Sequence, residues 1–581
     1  MPITAAAPQR AGSGLSWFAT GAALALLCGC GVSSAPQLAA SESAQPLSAA
    51  QCLADTAQTR TVDATLLPDT TQLLNWEEEV QQFGGGFRPT GSAAELGYIG
   101  RLASELNAMG LSQVQEEAYT FPQWSGTSAS LTLQQGSSTQ TVPIAASIPY
   151  SGNTGGGGVN GPLVYLPALS AVDLTGALLG VEQAPNPVDA LEQLLSQIGN
   201  VVGDLTSGAV PLLQYLLTQN LKGQVVMYDV PRLTVPIGVL EALSTYVNNS
   251  GGTMGPLTPY SRPFIDMLFI NGINSQLKQA GAVAAIGVID YPPQEADGSY
   301  YPFGGMGANA SIPGVYIDRD TGATLKQAVA AAGLSPVQAH LTLTAPQTSA
   351  TSYNTTALIP GLCPQQIVIS SHVDGTNAIE DNGPAAILAI ARYFMQLPQA
   401  QRLRTIRIVL TSGHFVGSAG IAAYIDAHQA DLNANVLGVI EMEHLGAREW
   451  LELSPGSMGL DGLNEPQILI ASSGTVLADE AQKFAAKFDR SMVMPPLLQI
   501  GEGADWYMQA KLPLLAYITG PVYLLNSNMP QVSTDFTDYE LMQQQVTAFI
   551  QIIHDLNAQT VQSMRPDLVG SSSGSGSSSG S

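Results

Sequence analysis

Histidines and carboxylates, the side chains that bind metal ions and transfer protons, cluster in three short segments of this sequence. His372 and Asp374 lie in the first segment, His414 in the second and Glu443 in the third. Each segment follows an apolar run of the length of a buried strand. In an open α/β sheet, ligands bind outside the carboxyl ends of the strands. The three segments therefore predict one functional site at one edge of a sheet.

Strands and helices that would position these residues alternate along the second half of the chain. The predicted strands lie at 366–370, 405–410, 436–441, 467–471 and 513–519. This alternation predicts an α/β fold with a mostly parallel, doubly wound sheet and helices on both faces.

A region with a different pattern of secondary structure precedes these strands. It holds predicted short strands and helices at 224–229, 273–280, 282–289, 312–317 and 321–332. The apolar helical stretch 187–221 is of a kind that most often packs as core or lid and only rarely contacts a membrane. We predict an α/β domain formed by residues 61–127 and 346–565, with a smaller β-rich domain inserted at 128–345.

The length and charge of the chain restrict its class. A chain of 581 residues is too long for one domain, which favours two or more. Its 45 acidic and 20 basic residues give a net charge of −25. Such a surface repels phosphate backbones, so nucleic acid is not an expected partner.

The first 30 residues have the features of an export signal. Arg10 precedes an apolar stretch at 15–27 that is too short to span a membrane. Residues 27–30 read Leu-Cys-Gly-Cys, which resembles a bacterial lipobox with Cys30 as the lipidated residue. This predicts a protein exported to the cell envelope and attached to a membrane by a lipid anchor. A cleaved signal without lipidation is the alternative.

Segments of low complexity flank the predicted domains. Residues 31–60 are predicted to be a flexible tether, and the Ser/Gly-rich residues 566–581 a tail without core-forming capacity. Two of the four cysteines lie outside the signal, Cys52 and Cys363. In an oxidising compartment they could form a disulfide, and two unpaired buried thiols are the alternative.

The order of these segments resembles the co-catalytic zinc aminopeptidases, a family that includes glutamate carboxypeptidase and the transferrin-receptor ectodomain. The resemblance extends over residues 76–554. In that family a His-x-Asp follows the first strand, an Asp-Asn pair opens the next helix and a Glu-Glu pair follows the second strand. An Asn-x-Asp-Met comes after the third strand and a histidine after the last. The resemblance implies that region 128–345 is a protease-associated domain.

The resemblance also implies roles for individual residues. His372 matches the family's first metal-binding histidine, and Asp374 matches the residue that orients its ring. Asp381 matches the carboxylate that bridges two metals, and Glu443 stands in place of an aspartate ligand. Residues 88–92, Arg-Pro-Thr-Gly-Ser, match the family's amino-terminal signature.

The sequence departs from the family at the second metal position. His414 and Phe415 replace the Glu-Glu pair, whose first member is the general base and whose second binds the other zinc. The final histidine is absent, and Asn526 or Asn528 stands near its place. Phenylalanine cannot bind zinc, so a standard two-zinc centre is not expected.

One zinc ion remains feasible with His372, Asp381 and Glu443 as ligands and His414 as the base. The first hypothesis is therefore a zinc-dependent peptidase of the aminopeptidase type with at most one zinc. The second is a catalytically inactive relative that binds peptides or proteins in the cell envelope. In that case Asp381 only caps a helix, and His414 and His444 are ordinary loop residues. The sequence specifies neither the substrate nor the oligomeric state.

Overall fold

A computed structural model describes most of the chain. The described residues are 45–54, 60–167, 220–230, 232, 234–268, 273–302, 312–333, 335–380, 382–496, 501–528 and 535–570. The predicted signal with Cys30, the helical stretch up to residue 219, Asp381 and the tail from residue 571 lie outside them. Within the described ranges, no helix is both long enough and apolar enough to cross a membrane.

The strands are numbered here in chain order. They are β1 (Ser112–Trp124), β2 (Ser128–Gln135), β3 (Ser138–Val142), β4 (Ala146–Ser147), β5 (Val159–Leu166), β6 (Val225–Asp229), β7 (Thr234–Pro236), β8 (Tyr246–Asn248), β9 (Pro259–Ser261), β10 (Ala284–Val288), β11 (Gly314–Ile317), β12 (Gln338–Thr344), β13 (Gln347–Ile359), β14 (Cys363–His372), β15 (Arg404–Thr411), β16 (Val436–Met442), β17 (Arg448–Ser454), β18 (Ser457–Asn464), β19 (Gln467–Ala471), β20 (Ser491–Met494) and β21 (Leu514–Ile518).

The α-helices are numbered in the same way. They are α1 (Ala49–Ala54), α2 (Thr70–Val80), α3 (Ala93–Ala108), α4 (Ile237–Ala242), α5 (Pro263–Leu268), α6 (Ile273–Gln279), α7 (Pro293–Ala296), α8 (Arg319–Ala331), α9 (Gly383–Gln396), α10 (Ala419–Asn435), α11 (Val476–Ala485), α12 (Gly503–Met508), α13 (Tyr539–Asn557), α14 (Val561–Met564) and α15 (Pro566–Gly570).

A nine-stranded sheet carries the predicted site. Its strand order is β1-β13-β15-β14-β16-β21-β19-β20-β8. The four middle strands, β15, β14, β16 and β21, run parallel, whereas β1, β13, β19 and β8 each pair antiparallel with a neighbour. All five strands predicted for the second half of the chain are present. The predicted α/β fold is confirmed.

Helices cover both faces of this sheet. Since side chains alternate in direction along each strand, each strand contributes apolar side chains to the cores on both faces. On β14, Ile367 and Ile369 pack on one side in the hydrophobic core that includes α9 and α13. Val368 points to the other side, into the core that contains Tyr424 of α10 and Trp506 of α12. The strands therefore read as continuous apolar runs that end in polar residues.

An eight-stranded sheet is built from strands that lie within residues 128–344. Its order is β3-β2-β12-β5-β6-β10-β11-β4. The strands predicted at 224–229, 282–289 and 312–317 are its parallel members β6, β10 and β11. The short strand β8 comes from the same stretch of chain, yet it pairs with β20 at the edge of the nine-stranded sheet.

A buried group of charged residues joins these two parts of the chain. Arg262, which lies between β9 and α5, donates to Glu449 of β17 at 3.0 Å and to Glu465 at 2.6 Å. Arg490 donates to the second oxygen of Glu449 at 2.5 Å. Arg262 and Glu465 are fully buried, so each charge depends on its partner.

A disulfide joins α1 to the first residue of β14. The two half-cystines are Cys52 and Cys363, with Cα atoms 5.6 Å apart and a sequence separation of 311 residues. The guanidinium of Arg404 also donates to the carbonyl oxygen of Cys52 at 2.7 Å. The start of the described chain is thereby fixed to the middle of the nine-stranded sheet.

Candidate metal centre

His372 is the last residue of β14, and its side chain is fully buried. Nδ1 lies 2.8 Å from the backbone carbonyl oxygen of Asp374. Because a carbonyl oxygen only accepts hydrogen bonds, Nδ1 carries the hydrogen. Nε2 is buried and has no hydrogen-bond partner among the described residues. Nε2 is therefore the atom available to a ligand.

Glu443 and His444 lie opposite His372, just after the end of β16. Oε2 of Glu443 is 3.7 Å from Nε2 of His372 and 3.7 Å from Nε2 of His444. Nδ1 of His444 donates to the carbonyl oxygen of Thr519 at 2.6 Å. Nε2 of His444 is buried and has no hydrogen-bond partner in the described part of the chain. Two unsatisfied imidazole nitrogens thus face one carboxylate oxygen.

This geometry suits a tetrahedral zinc ion. Zinc bonds of about 2.0–2.1 Å place neighbouring ligand atoms about 3.3–3.4 Å apart, close to the spacing observed here. The ligand atoms of His372, Glu443 and His444 all lie within 4.8 Å of one another, and all three side chains are buried. The donor set of two imidazoles and one carboxylate is one that catalytic zinc sites use, with a fourth position left open.

A second group with metal-binding potential shares His372. It comprises His372, Glu380 and His414. The imidazole rings of His372 and His414 are stacked, with centroids 4.3 Å apart. Because Nδ1 of His372 is engaged by a carbonyl, only Nε2 remains to bind a metal. The two groups therefore share one nitrogen atom of His372.

Burial and charge set the protonation of these groups. Burial opposes ionisation of Glu443, but the adjacent His372, followed by His444 and His414, lowers its pKa to about 2. Burial lowers the pKa of both His444 and His414 to about 4. Burial also disfavours a charged His372, but the carboxylate of Glu443 raises its pKa well above the usual value. A bound metal would therefore replace a proton at His372.

Two further buried carboxyl groups, those of Glu441 and Glu502, lie near Glu443. The backbone N–H of Glu502 donates to Oε1 of Glu443 at 3.0 Å and so holds that carboxylate in place. Thr411 donates its hydroxyl to Glu502. Burial raises the pKa of Glu441 and Glu502 well above the usual value, and repulsion from Glu502 adds to the effect on Glu441. These two carboxyl groups therefore add little negative charge to the site.

Asp374, predicted to orient His372, contacts the ring through its backbone rather than its carboxylate. Oδ1 of Asp374 is 3.9 Å from Nδ1 of His372. The carboxylate instead accepts hydrogen bonds from Thr90 and from the backbone of the turn that carries His414. The structure thus brings His372, Asp374, His414 and Glu443 together at one edge of the sheet.

The remaining predicted positions have other contacts. Asp381 lies outside the described residues, and Asn382 is the N-cap residue of α9. The side chain of Asn382 does not cap that helix but bonds both backbone groups of Leu445. Asn526, near the place of the missing histidine, is buried and donates to the carbonyl oxygen of Glu295 at 2.6 Å.

Sequence reasoning missed Glu380 and His444 as candidate ligands. Each is the direct neighbour of a residue that was predicted, Asp381 or Glu443. In a regular strand, neighbouring side chains point to opposite faces. His444 has a left-handed backbone with φ of 57°, which breaks this alternation just beyond the strand. The run Glu-Met-Glu-His at 441–444 was the available signal.

Comparisons with known proteins support the fold. No protein-family model matches the sequence, and no curated protein matches it. Among solved structures, an aminopeptidase from Aneurinibacillus sp. strain AM-1 is 15% identical, with 85% of this chain and 94% of that chain covered and a TM-score of 0.51. BSAP, a zinc aminopeptidase from Bacillus subtilis, is 15% identical, with 86% and 99% covered and a TM-score of 0.54.

A third solved structure, a peptidase M28 precursor from Shewanella amazonensis SB2B, is 17% identical. It covers 88% of this chain and 95% of its own, with a TM-score of 0.53. At such low identity the likeness shows the fold alone. The chain has the fold of the zinc aminopeptidases, as the sequence resemblance predicted.

Proposed function

We propose that this chain is a zinc-dependent peptidase of the aminopeptidase type that uses one zinc ion. The proposal depends on one observation. Nε2 of His372 and Nε2 of His444, both buried and without hydrogen-bond partners among the described residues, lie 3.7 Å from the same Glu443 oxygen. Leaving such buried polar atoms unsatisfied costs about 1–3 kcal/mol each, which a bound metal would relieve.

His372, Glu443 and His444 would hold the metal. A bound zinc would supply Lewis-acid chemistry, by polarising a peptide carbonyl and acidifying a water molecule. His414 is placed to move the proton, since its ring stacks on that of His372. Burial lowers its pKa to about 4, so the imidazole is neutral at neutral pH.

Aromatic side chains cover the side of the site next to His414. Phe415, which is buried, packs edge-on against Tyr300 with ring centroids 5.9 Å apart, and Tyr300 packs against Phe87 at 5.3 Å. Phe415 itself lies 6.2 Å from the ring of His372. This apolar wall would exclude water from one side of the reacting groups and strengthen electrostatic interactions there.

The proposal is tested by metal analysis of the purified protein together with peptide cleavage. We expect about one zinc per chain, and hydrolysis of aminoacyl reporter substrates. His372→Ala and His444→Ala should lose both. His428→Ala is the matched control, because His428 of α10 hydrogen-bonds to Glu117 of β1, at a separate place. Absence of zinc would contradict the metal site, and zinc-loaded protein that leaves a broad peptide panel uncut would contradict the peptidase.

A second candidate is a peptide-binding protein of the cell envelope without catalytic activity. It is favoured by Phe415, a buried aromatic residue beside the site where the resemblance leads us to expect a carboxylate. This candidate predicts saturable peptide binding without product formation, which calorimetry and mass spectrometry would distinguish from turnover.

We also propose that the protein is an exported lipoprotein anchored through Cys30. The lipobox-like residues 27–30 support this location. Cells fed a labelled fatty acid should incorporate label into the wild-type protein and not into Cys30→Ala. Label in both proteins, or in neither, would contradict the anchor.

A further inference from the structure

The turn that carries His414 has a left-handed backbone at three positions, one of which is not a glycine. Gly413, Gly417 and Ser418 have left-handed backbones, with φ of 85°, 76° and 55°. Such a conformation is unfavourable for a non-glycine residue such as Ser418. Neither the 3-10 helix His414–Val416 nor α10, which follows it, has a side-chain hydrogen bond at its N-cap. Backbone hydrogen bonds from Val416 and Ala419 to the carbonyl oxygen of Gly413, both at 3.1 Å, hold part of the turn, and groups outside it supply further hydrogen bonds.

The carboxylate of Asp374 is the first of these outside groups. Its Oδ1 accepts the backbone N–H groups of Gly413 and His414 at 3.1 and 3.2 Å, and its Oδ2 accepts that of Phe415 at 3.2 Å. Thr90 donates its hydroxyl to Oδ2 at 2.6 Å. The Thr90 hydroxyl and the turn are thus bonded to the same carboxylate.

Ser412 connects the start of the turn to a second outside group, Glu95. Its hydroxyl donates to Oε1 of Glu95, and its backbone N–H donates to the side chain of Asn354 at 3.0 Å. Oε2 of Glu95 accepts the N–H of Gly91 at 2.6 Å and the hydroxyl of Ser352 at 2.8 Å. Glu95 is fully buried, although it lies in the first turn of α3 where solvent-exposed acids are common.

We propose that Thr90 and Glu95 are positioning residues, which hold the turn of His414 in place through Asp374 and Ser412. Both belong to one short stretch around Gly91, at the start of α3. This assigns a role to the Arg-Pro-Thr-Gly-Ser segment at 88–92, which the proposed chemistry does not use directly. The hydrogen-bond argument is independent of catalysis, and only its kinetic consequence rests on the proposed function.

Hydrogen exchange of the full chain tests the proposal directly, since it measures the three N–H groups that Asp374 accepts. Thr90→Val keeps the shape of the side chain and removes the hydroxyl, whereas Thr90→Ser keeps the hydroxyl. We expect exchange of residues 413–415 to be at least about tenfold faster in Thr90→Val and close to wild type in Thr90→Ser. Zinc content should be the same in all three proteins.

Glu95→Gln provides a second variant should Thr90→Val fail to fold. We expect faster exchange at residues 412–414 in Glu95→Gln and no change in Glu105→Gln, a control on the same helix. In active protein, both positioning variants should lower kcat about tenfold at unchanged KM. Unchanged exchange at 412–415 in the folded variants would overturn the proposal. If exchange rises while the wild type cuts no peptide, the positioning role stands and the peptidase proposal fails.

Discussion

The length of a single side chain determines how Glu443 contacts both imidazoles. Its Oε2 lies 3.7 Å from Nε2 of His372 and of His444, while Oε1 is held by the backbone N–H of Glu502. The family resemblance leads us to expect an aspartate at this position, one methylene shorter. An aspartate on the same backbone would not extend as far between the two rings.

Glu443→Asp should therefore bind zinc more weakly than the wild type. We expect the zinc Kd to rise by at least about tenfold, because the ligand atom is withdrawn from the other two. Competition with a chromophoric chelator measures this affinity. Glu117→Gln, which alters a carboxylate bound to His428, serves as the control. Equal affinities for Glu443→Asp and wild type would remove Glu443 from the ligand set.

His414 belongs to the second group of metal-binding residues, yet we assign it the role of base. His414→Gln should keep about one zinc per chain and lower kcat by about 10²–10⁴-fold, the usual contribution of a general base. Metal analysis and steady-state kinetics on the same sample distinguish the two roles. Loss of zinc from His414→Gln would show instead that Glu380 and His414 hold the ion.

At the scale of elements, local patterns predicted the strands and helices well. The segment 467–471 was predicted with its observed bounds, since its five apolar or neutral residues lie between clear breaks. The pairing of strands was harder to predict from the sequence. β8 has only three residues and pairs with β20, which is more than two hundred residues away in sequence. No local pattern specifies such a partner.

The candidate site was predictable in part, because local patterns place some of its residues. His372 and His414 follow long apolar strands, so their place at the sheet edge follows from the sequence alone. Contacts between residues distant in sequence could not be predicted, because they depend on how loops fold together. Examples are the hydrogen bond from Thr90 to Asp374 and the hydrogen bond from Asn382 to Leu445.

Packing of α13 on α9 predicts a dependence of stability on pH. His554 of α13 is buried against Phe394 and hydrogen-bonds to the hydroxyl of Tyr393 at 3.0 Å. Burial, with a smaller effect of the nearby Arg60, lowers the pKa of His554 to about 4. An unfolded histidine has a pKa of about 6.5, so the unfolded chain binds this proton first as the pH falls.

The contribution of His554 is therefore complete above about pH 6.5 and is lost as the pH falls towards 4. Between pH 7 and 4.5, the unfolding free energy of the wild type should fall by about 1–2 kcal/mol more than that of His554→Gln, allowing for solvent screening. Denaturant titrations at the two pH values measure this difference. Parallel losses in the two proteins would contradict it.

At the scale of the whole molecule, the disulfide restricts the unfolded chain. Cys52 and Cys363 are 311 residues apart, so their bond removes a large part of the freedom of the unfolded state. Cys52→Ser/Cys363→Ser should lower the unfolding free energy by about 2–5 kcal/mol. Chemical denaturation with and without reductant checks this, since reductant should destabilise the wild type alone. Coincident curves would show that the bond contributes nothing.

The buried contacts of Arg262 have a consequence for how the molecule can be divided. Arg262 lies in the stretch that resembles an inserted domain, whereas its partners Glu449 and Glu465 belong to the chain that follows β16. A shortened gene that joins residue 127 to residue 346 would delete Arg262, so that Glu465 loses its ion-pair partner and Glu449 keeps only Arg490. We therefore expect the domain that carries the histidines to lose stability when the insertion is removed.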